Sequence, residues 1–324
     1  MNLSELLLEV NGLKKYFSIT GGVFDKKIGE VKAVDDVSFF VKKGETLGIV
    51  GESGCGKSTT GRLLLRLLDA SDGQVHFENQ EITSMSKKEL RKIRRDIQMV
   101  FQDPYASLNP RHTIEKILEE PLIVHGICGK DERKKKVEEM LEIVGLGSFH
   151  KRRYPHQFSG GQRQRIGIAK ALMTRPKLVI ADEPVSALDV SIQAQILNLL
   201  KDIQKEFQLT LLFIAHDLGV VRHISDRVGV MYLGRLIELA DSKELYENPK
   251  HPYTKALLAS VPTLDPDIKR DVIKIDGEIP SPSNPPSGCA FHTRCSESIE
   301  ICKTSRPEYR SLDGHYVACH LYND

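Results

Sequence analysis

Along the first three-quarters of the chain, short continuous runs of apolar, β-branched residues alternate with segments long enough for helices. Thr46 to Val50 reads as a strand, and Thr59 to Leu68 after it carries a helical pattern. Leu178 to Ala181 and Leu209 to Ala215 are two more unbroken apolar runs. Strands without polar alternation belong to sheets covered on both faces, so the pattern predicts an α/β fold around a mostly parallel sheet. Between residues 85 and 165 the rhythm changes. Ser86 to Arg95 is a basic helical stretch, Thr113 to His125 a second helix, and Asp131 to Val144 a charged amphipathic one. A mainly helical subdomain, spanning residues 96–165, is therefore expected as an insertion into the α/β core.

Composition redraws this picture near residue 245. Residues 246–324 hold nine of the fifteen prolines and four of the six cysteines, so a C-terminal extension is expected there, behind a first domain at 1–245. Hydrophobic residues make up 40% and charged residues 28% of the 324, a globular balance and not a disordered one. The formal charge of +2 excludes a strongly basic nucleic-acid coat. The basic runs KKELRKIRR and KRR carry no interleaved aromatics or glycines and read as solvated helix faces. No apolar run approaches the roughly 20 residues needed to cross a bilayer. The opening MNLSELLLEV has Glu5 in its short apolar stretch and no basic leader, so a cytosolic chain is expected.

The chemistry begins directly after the first strand. Gly51-Glu52-Ser53-Gly54-Cys55-Gly56-Lys57-Ser58-Thr59 contains G-x-x-x-x-G-K-[ST] between a predicted strand and a predicted helix. Small glycines let successive backbone N–H groups curl around phosphate, and the helix N-terminus adds its positive dipole. Lys57 would bridge the β/γ oxygens and the Ser58 hydroxyl would ligate Mg2+. Cys55 reads as a small spacer. The run LVIADEP ends in Asp182 and Glu183, an acidic pair at the carboxyl end of a strand, where ligands of open α/β sheets gather. Asp182 would hold magnesium through water and Glu183 would polarise the attacking water. A third run, TLLFIA, ends in His216, placed to reach a γ-phosphate, and Gln102 after MVF is the fourth candidate, which would ligate magnesium and sense the γ-phosphate. Ser159, Gly160, Gly161 and Gln162 open another helix. One nucleotide cannot easily sit on two helix N-termini about 100 residues apart in one subunit, so this one is expected to face a nucleotide held by another subunit.

These motifs, with SALD from Ser186 to Asp189, stand in the order and spacing of ABC-transporter ATPase subunits, which residues 1–245 resemble. The resemblance implies a head-to-tail dimer in which ATP lies between one subunit's phosphate loop and its partner's SGGQ helix. It also implies an aromatic on the adenine; LKKYF offers Tyr16 and Phe17, and the spacing favours Phe17. The fold it implies is a RecA-like, mostly parallel core with an antiparallel edge region and a helical subdomain. NPKHPYTKALLASVP and NPPSGCAFHTRC resemble the extension of dipeptide and oligopeptide importer ATP-binding subunits; related subunits serve nickel and glutathione importers. The implied partners are a second, related ATP-binding subunit, two membrane permeases and, indirectly, an extracytoplasmic solute-binding protein, which puts the chain peripherally on the cytoplasmic membrane face. Nucleic acid is not among them. DNA-repair ATPases of this class carry long heptad insertions, whereas 102 residues without sustained heptads separate Lys57 from Ser159. Ribosomal types carry two cassettes, and ATPases of iron–sulfur assembly lack the HPY and NPPSGC extension.

Cys289, Cys295, Cys302 and Cys319 crowd a Pro-rich segment too small to fold on a core alone, and a metal centre would stabilise it. A cytosolic compartment disfavours disulfides. Zinc, with His292, His315 or His320 replacing one thiolate, is one alternative, though structural zinc sites use close C-x2–4-C pairs and the gaps here are C-x5-C-x6-C-x16-C. The resemblance implies a [4Fe-4S] cluster, expected in a structural or docking role.

Overall fold

The computed structural model describes residues 5–21, 26–260, 275 and 277–322. The chain divides into two compact units: one holds Leu6–Val41, Thr46–Thr83 and the chain from Ala215 onward, the other Lys42–Glu45 and Ser84–Ile214.

The first unit opens with a four-stranded sheet. Strands β1 (Leu6–Gly21) and β2 (Lys26–Lys42) are joined, after β3 (Thr46–Val50), by β4 (Asp72–Phe77) and β5 (Gln80–Glu81), in the order β2-β1-β4-β5. Its buried side pairs Leu8 with Phe77 and Val10 with Val75 across an antiparallel register, the cross-strand contacts that stabilise such sheets. All five residues of β3 are buried, as its unbroken apolar run predicts. The helix Lys57–Leu64 follows and is shorter than the sequence pattern suggests.

The second unit contains β6 (Ile97–Val100), β7 (Leu178–Asp182) and β8 (Thr210–Ile214), parallel neighbours with Ile97 beside Leu178 and Leu178 beside Thr210. Around them stand the expected helices. Ile114–Val124 begins at a Thr113 cap and buries Ile114, Ile117, Leu118 and Leu122; Lys130–Ile143 buries Val137, Met140 and Leu141. The basic stretch forms Lys87–Ile93, started by a Ser86–Glu89 capping box and anchored by buried Leu90, with its lysines exposed. It is a solvated face.

The chain then returns to the first unit. β9 (Arg227–Tyr232) lies parallel to β3, and β10 (Arg235–Asp241) turns back antiparallel to β9. The C-terminal segment adds β11 (Arg310–Leu312) and β12 (His315–Val317), giving the order β11-β12-β10-β9-β3. Tail residues therefore extend the sheet that carries the phosphate loop. Among the described residues, no helix is long and apolar enough to cross a membrane.

Candidate functional site

In the first unit, β3 runs straight into the loop at residues 51–56. Gly51 has φ 152° and Gly56 φ 105°. A Cβ at Gly51 would stand 2.2 Å from the Met231 carbonyl, and one at Gly56 2.1 Å from that of Ala33. Both positions require glycine, by conformation and by close backbone approach. Lys57 is buried, and its Nζ donates to the carbonyls of Gly51 at 2.7 Å and Glu52 at 3.0 Å, curling the loop over the ammonium. Ser58 and Thr59 lie in the first turn of the following helix. Ser53 and Gly54 are exposed at the loop's tip. Cys55 is buried, with Sγ 3.8 Å from Lys57 Nζ, and burial raises its thiol pKa.

His216 lies in the same unit. The N–H of the preceding Ala215 donates to Ile49 O at 3.1 Å, which sets His216 at the carboxyl end of the strand that feeds the loop. Of the two N-terminal aromatics, Tyr16 donates its hydroxyl to Asp35 at 2.6 Å, whereas the Phe17 ring is exposed with Lys15 Nζ 5.2 Å from its centroid.

The second unit carries the acidic pair and the signature helix. Asp182 closes β7 and is buried. Glu183 takes a left-handed φ of 46°, a conformation that costs a bulky residue about 1 kcal/mol or more. Its N–H is held by Ile214 O at 2.9 Å, and its carbonyl accepts from the Ser186 hydroxyl at 3.1 Å. Gln102 Nε2 donates to Glu183 Oε2 at 3.0 Å, so two residues 81 positions apart meet. Ser159 caps the helix Gly160–Leu172 in a reciprocal box: its Oγ accepts the Gln162 N–H at 3.3 Å and Gln162 Oε1 accepts the Ser159 N–H at 3.1 Å. Ser159 and Gly160 are exposed, and a Cβ on Gly161 would meet Ile192 at 2.5 Å.

Sequence reasoning missed what grips the phosphate loop from the C-terminal side. The Glu52 N–H donates to Tyr253 Oη at 3.1 Å, and the Tyr253 ring packs tilted against Tyr232 and edge-to-face against Phe291, with centroids 4.7 and 5.3 Å away. Arg294 forks onto the Glu52 carboxylate. Nearby, wholly buried Glu238 accepts from the N–H groups of Lys250 and His251 and bonds His315 Nε2 at 2.7 Å. Burial works against the Glu238 carboxylate, yet the bonds from His315 and the Lys250 N–H keep its pKa below the usual range. The signal for this network was HPY itself: His251 caps its helix with Nδ1, and Tyr253 points a hydroxyl back at the loop.

The four cysteines of the expected metal centre lie in the C-terminal segment. Cys302 and Cys319 are buried, Cys289 and Cys295 half-buried, and all carry free thiols. The Cys289 N–H bonds Cys302 O at 2.8 Å. Burial, reinforced by the neighbouring thiols, pushes Cys319 up to about 11 and raises Cys289 and Cys295. Yet among the described residues no three His, Cys, Asp or Glu side chains converge as the ligands of one metal ion. The histidines weighed as zinc ligands are engaged elsewhere: His315 with Glu238, His320 Nε2 with Ser305 O at 2.8 Å, and His292 Nδ1 with Cys289 O at 2.8 Å. A preformed zinc site does not fit these residues.

Residues 34–186 match the family ABC transporter, and residues 237–302 match the family Oligopeptide/dipeptide transporter, C-terminal region. The chain is 59% identical to the oligopeptide transport ATP-binding protein AppF of Bacillus subtilis (strain 168), over 98% of both chains. This chain belongs to the ATP-binding proteins of oligopeptide/dipeptide ABC transporters. A second member, OppF of Haemophilus influenzae, is 53% identical, again over 98% of both chains. Among solved structures, the ATP-binding cassette MJ0796, described as dimeric in a post-hydrolysis state with ADP and Pi, matches with a TM-score of 0.65 and 31% identity. That match covers 73% of this chain and 99% of the cassette. The ABC ATPase fold expected from the motifs is the fold of this family member.

Proposed function

We propose that this chain is one of two ATP-hydrolysing subunits that drive import of oligopeptides or dipeptides through a membrane transporter. The observation that carries the proposal is identity of 59% along 98% of an oligopeptide transport ATP-binding protein, C-terminal region included. A nickel or other small-solute cargo is the alternative use of the same motor. No motif in the chain speaks for a soluble DNA-repair, ribosomal or iron–sulfur-assembly ATPase.

The residue roles follow the motifs. The loop from Gly51 to Thr59 with Lys57 takes the nucleotide phosphates, and Phe17 stacks on adenine, a role supported by its exposed ring and by the commitment of Tyr16 to Asp35. The oxygen donors of Ser58, Gln102 and Asp182 suit a hard cation and would hold Mg2+, which screens phosphate charge when bound. Glu183 orients the attacking water, and His216 contacts the γ-phosphate. Ser159, Gly160, Gly161 and Gln162 serve the nucleotide of the partner ATP-binding subunit. Docking beneath two permeases, fed by a solute-binding protein, places the chain peripherally on the cytoplasmic face of the membrane.

Cys289, Cys295, Cys302 and Cys319 are proposed as ligands of a [4Fe-4S] cluster. The donor chemistry supports this: four free thiols stand in one short segment, and a cluster is held by four cysteine thiolates. Anaerobic purification with iron, sulfide and zinc analysis tests it, and a colourless, metal-free, folded tail would overturn it. The transport reading is tested by co-purification with two hydrophobic permeases and by peptide-stimulated ATP hydrolysis in the assembled complex. A chain that purifies with neither permease would sink it.

A further inference from the structure

Glu52 puts a carboxylate into a loop whose partner is a polyphosphate. The chain answers that charge from 242 positions away: Arg294 Nη1 lies 3.0 Å from Glu52 Oε2, and Nη2 lies 3.3 Å from Oε1. The fork is sheltered, with the Arg294 side chain 7% exposed and that of Glu52 24%. Nη1 also reaches Tyr232 Oη at 3.4 Å. Among the described residues the buried Arg294 Nε has no hydrogen-bond partner, so the hydrogen bonds of the guanidinium come from its two Nη groups. Bidentate arginine–carboxylate pairs fix geometry as well as charge. The rest of Glu52 is equally tied: its N–H to Tyr253 Oη, its carbonyl to Lys57 Nζ and the Cys55 N–H.

Arg294 directly precedes Cys295, inside the four-cysteine segment. We propose that Arg294 is a positioning residue for nucleotide binding: by neutralising Glu52 it keeps the phosphate loop receptive to ATP, and so makes ATP affinity depend on the folded cysteine segment. The inference rests on the loop being the ATP site. It replaces the picture of a tail remote from the nucleotide with one in which the tail sets the loop's net charge.

The experiment is titration of the purified full-length chain with ATP and ADP at low and high salt, with thermal melting as a folding control. Arg294→Gln keeps the side chain's bulk and removes its charge. It is expected to weaken ATP binding roughly tenfold at low salt, ADP less, with the loss shrinking as salt screens the bare carboxylate. Arg294→Lys, which keeps the charge but not the fork, should fall between Arg294→Gln and wild type, and Arg294→Gln combined with Glu52→Gln should regain most of the affinity. Should Arg294→Gln not fold, Glu52→Gln alone decides, because it leaves Arg294 unopposed and should tighten ATP binding at low salt. An Arg294→Gln chain with wild-type affinity, a loss insensitive to salt, or a loss not relieved by Glu52→Gln overturns the proposal. Wild-type chain that binds no ATP overturns the reading of the loop along with it.

Discussion

Gln102 Nε2 holds Glu183 Oε2 at 3.0 Å, and Glu183 itself sits in a left-handed conformation pinned by Ile214 O. A carboxylate fixed from both its backbone and its side chain is pre-oriented. That matters for the residue proposed to align a water molecule with a phosphorus atom.

Glu183→Gln should therefore bind ATP normally and hydrolyse it at least about a hundredfold more slowly. The amide keeps the shape, loses the acceptor that orients water, and leaves Lys57 and Asp182 in place. The ATP-bound closed dimer should accumulate. Phosphate release and ATP retention in the assembled transporter check this; hydrolysis within a few-fold of wild type removes Glu183 from its role.

Isolation from its partner should silence the chain. Ser159 and Gly160 are exposed, and the side chains of Ser159 and Gln162 cap each other's backbone N–H groups. The purified subunit is expected to be largely monomeric and a poor ATPase, by light scattering and phosphate release measured under one condition. Robust turnover by a demonstrated monomer contradicts the shared site.

Gly56→Ala should abolish ATP binding. The new methyl group would stand 2.1 Å from Ala33 O at a φ of 105°, so the loop must move. The strain is about 1–3 kcal/mol, visible as a lower melting temperature together with lost nucleotide affinity. An alanine chain that binds ATP as wild type does would show that the loop tolerates the shift.

Stability should fall on acidification through one buried imidazole. Burial lowers the His251 pKa from 6.5 to about 4. In the unfolded chain the same group takes up a proton as pH falls through 6.5, while the folded one stays neutral until about pH 4. Stability attributable to His251 is thus full above pH 6.5 and declines between those values, by about 3 kcal/mol in total. Melting curves from pH 7 to pH 4.5 check the slope. His251→Asn, which keeps a helix-capping acceptor and cannot protonate, should flatten it.

The strands nearest the chemistry were legible because burial on both faces writes an unbroken apolar run, as at Thr46–Val50, Leu178–Asp182 and Thr210–Ile214. The ATP-site motifs were legible because each is local. Long β1 and β2 were not read, since their exposed faces and the shift of register after Asn11 break the alternation. Arg294 was invisible for a different reason: nothing local links it to Glu52, and only the tertiary fold brings them together. His315 was misread because a histidine serving a buried carboxylate looks, in sequence, like a histidine awaiting a metal.

The grip on Glu52 constrains inheritance. Tyr253 from the HPY helix and Arg294 from the tail meet on one residue of the phosphate loop, and Tyr232 from β9 bonds that arginine. A chimaera that joined the first 245 residues of one relative to the tail of another would have to match these partners as a set. If Arg294 sets the charge of the loop, recombination between paralogues at that junction should be tolerated only where both donors keep the acid and its arginine.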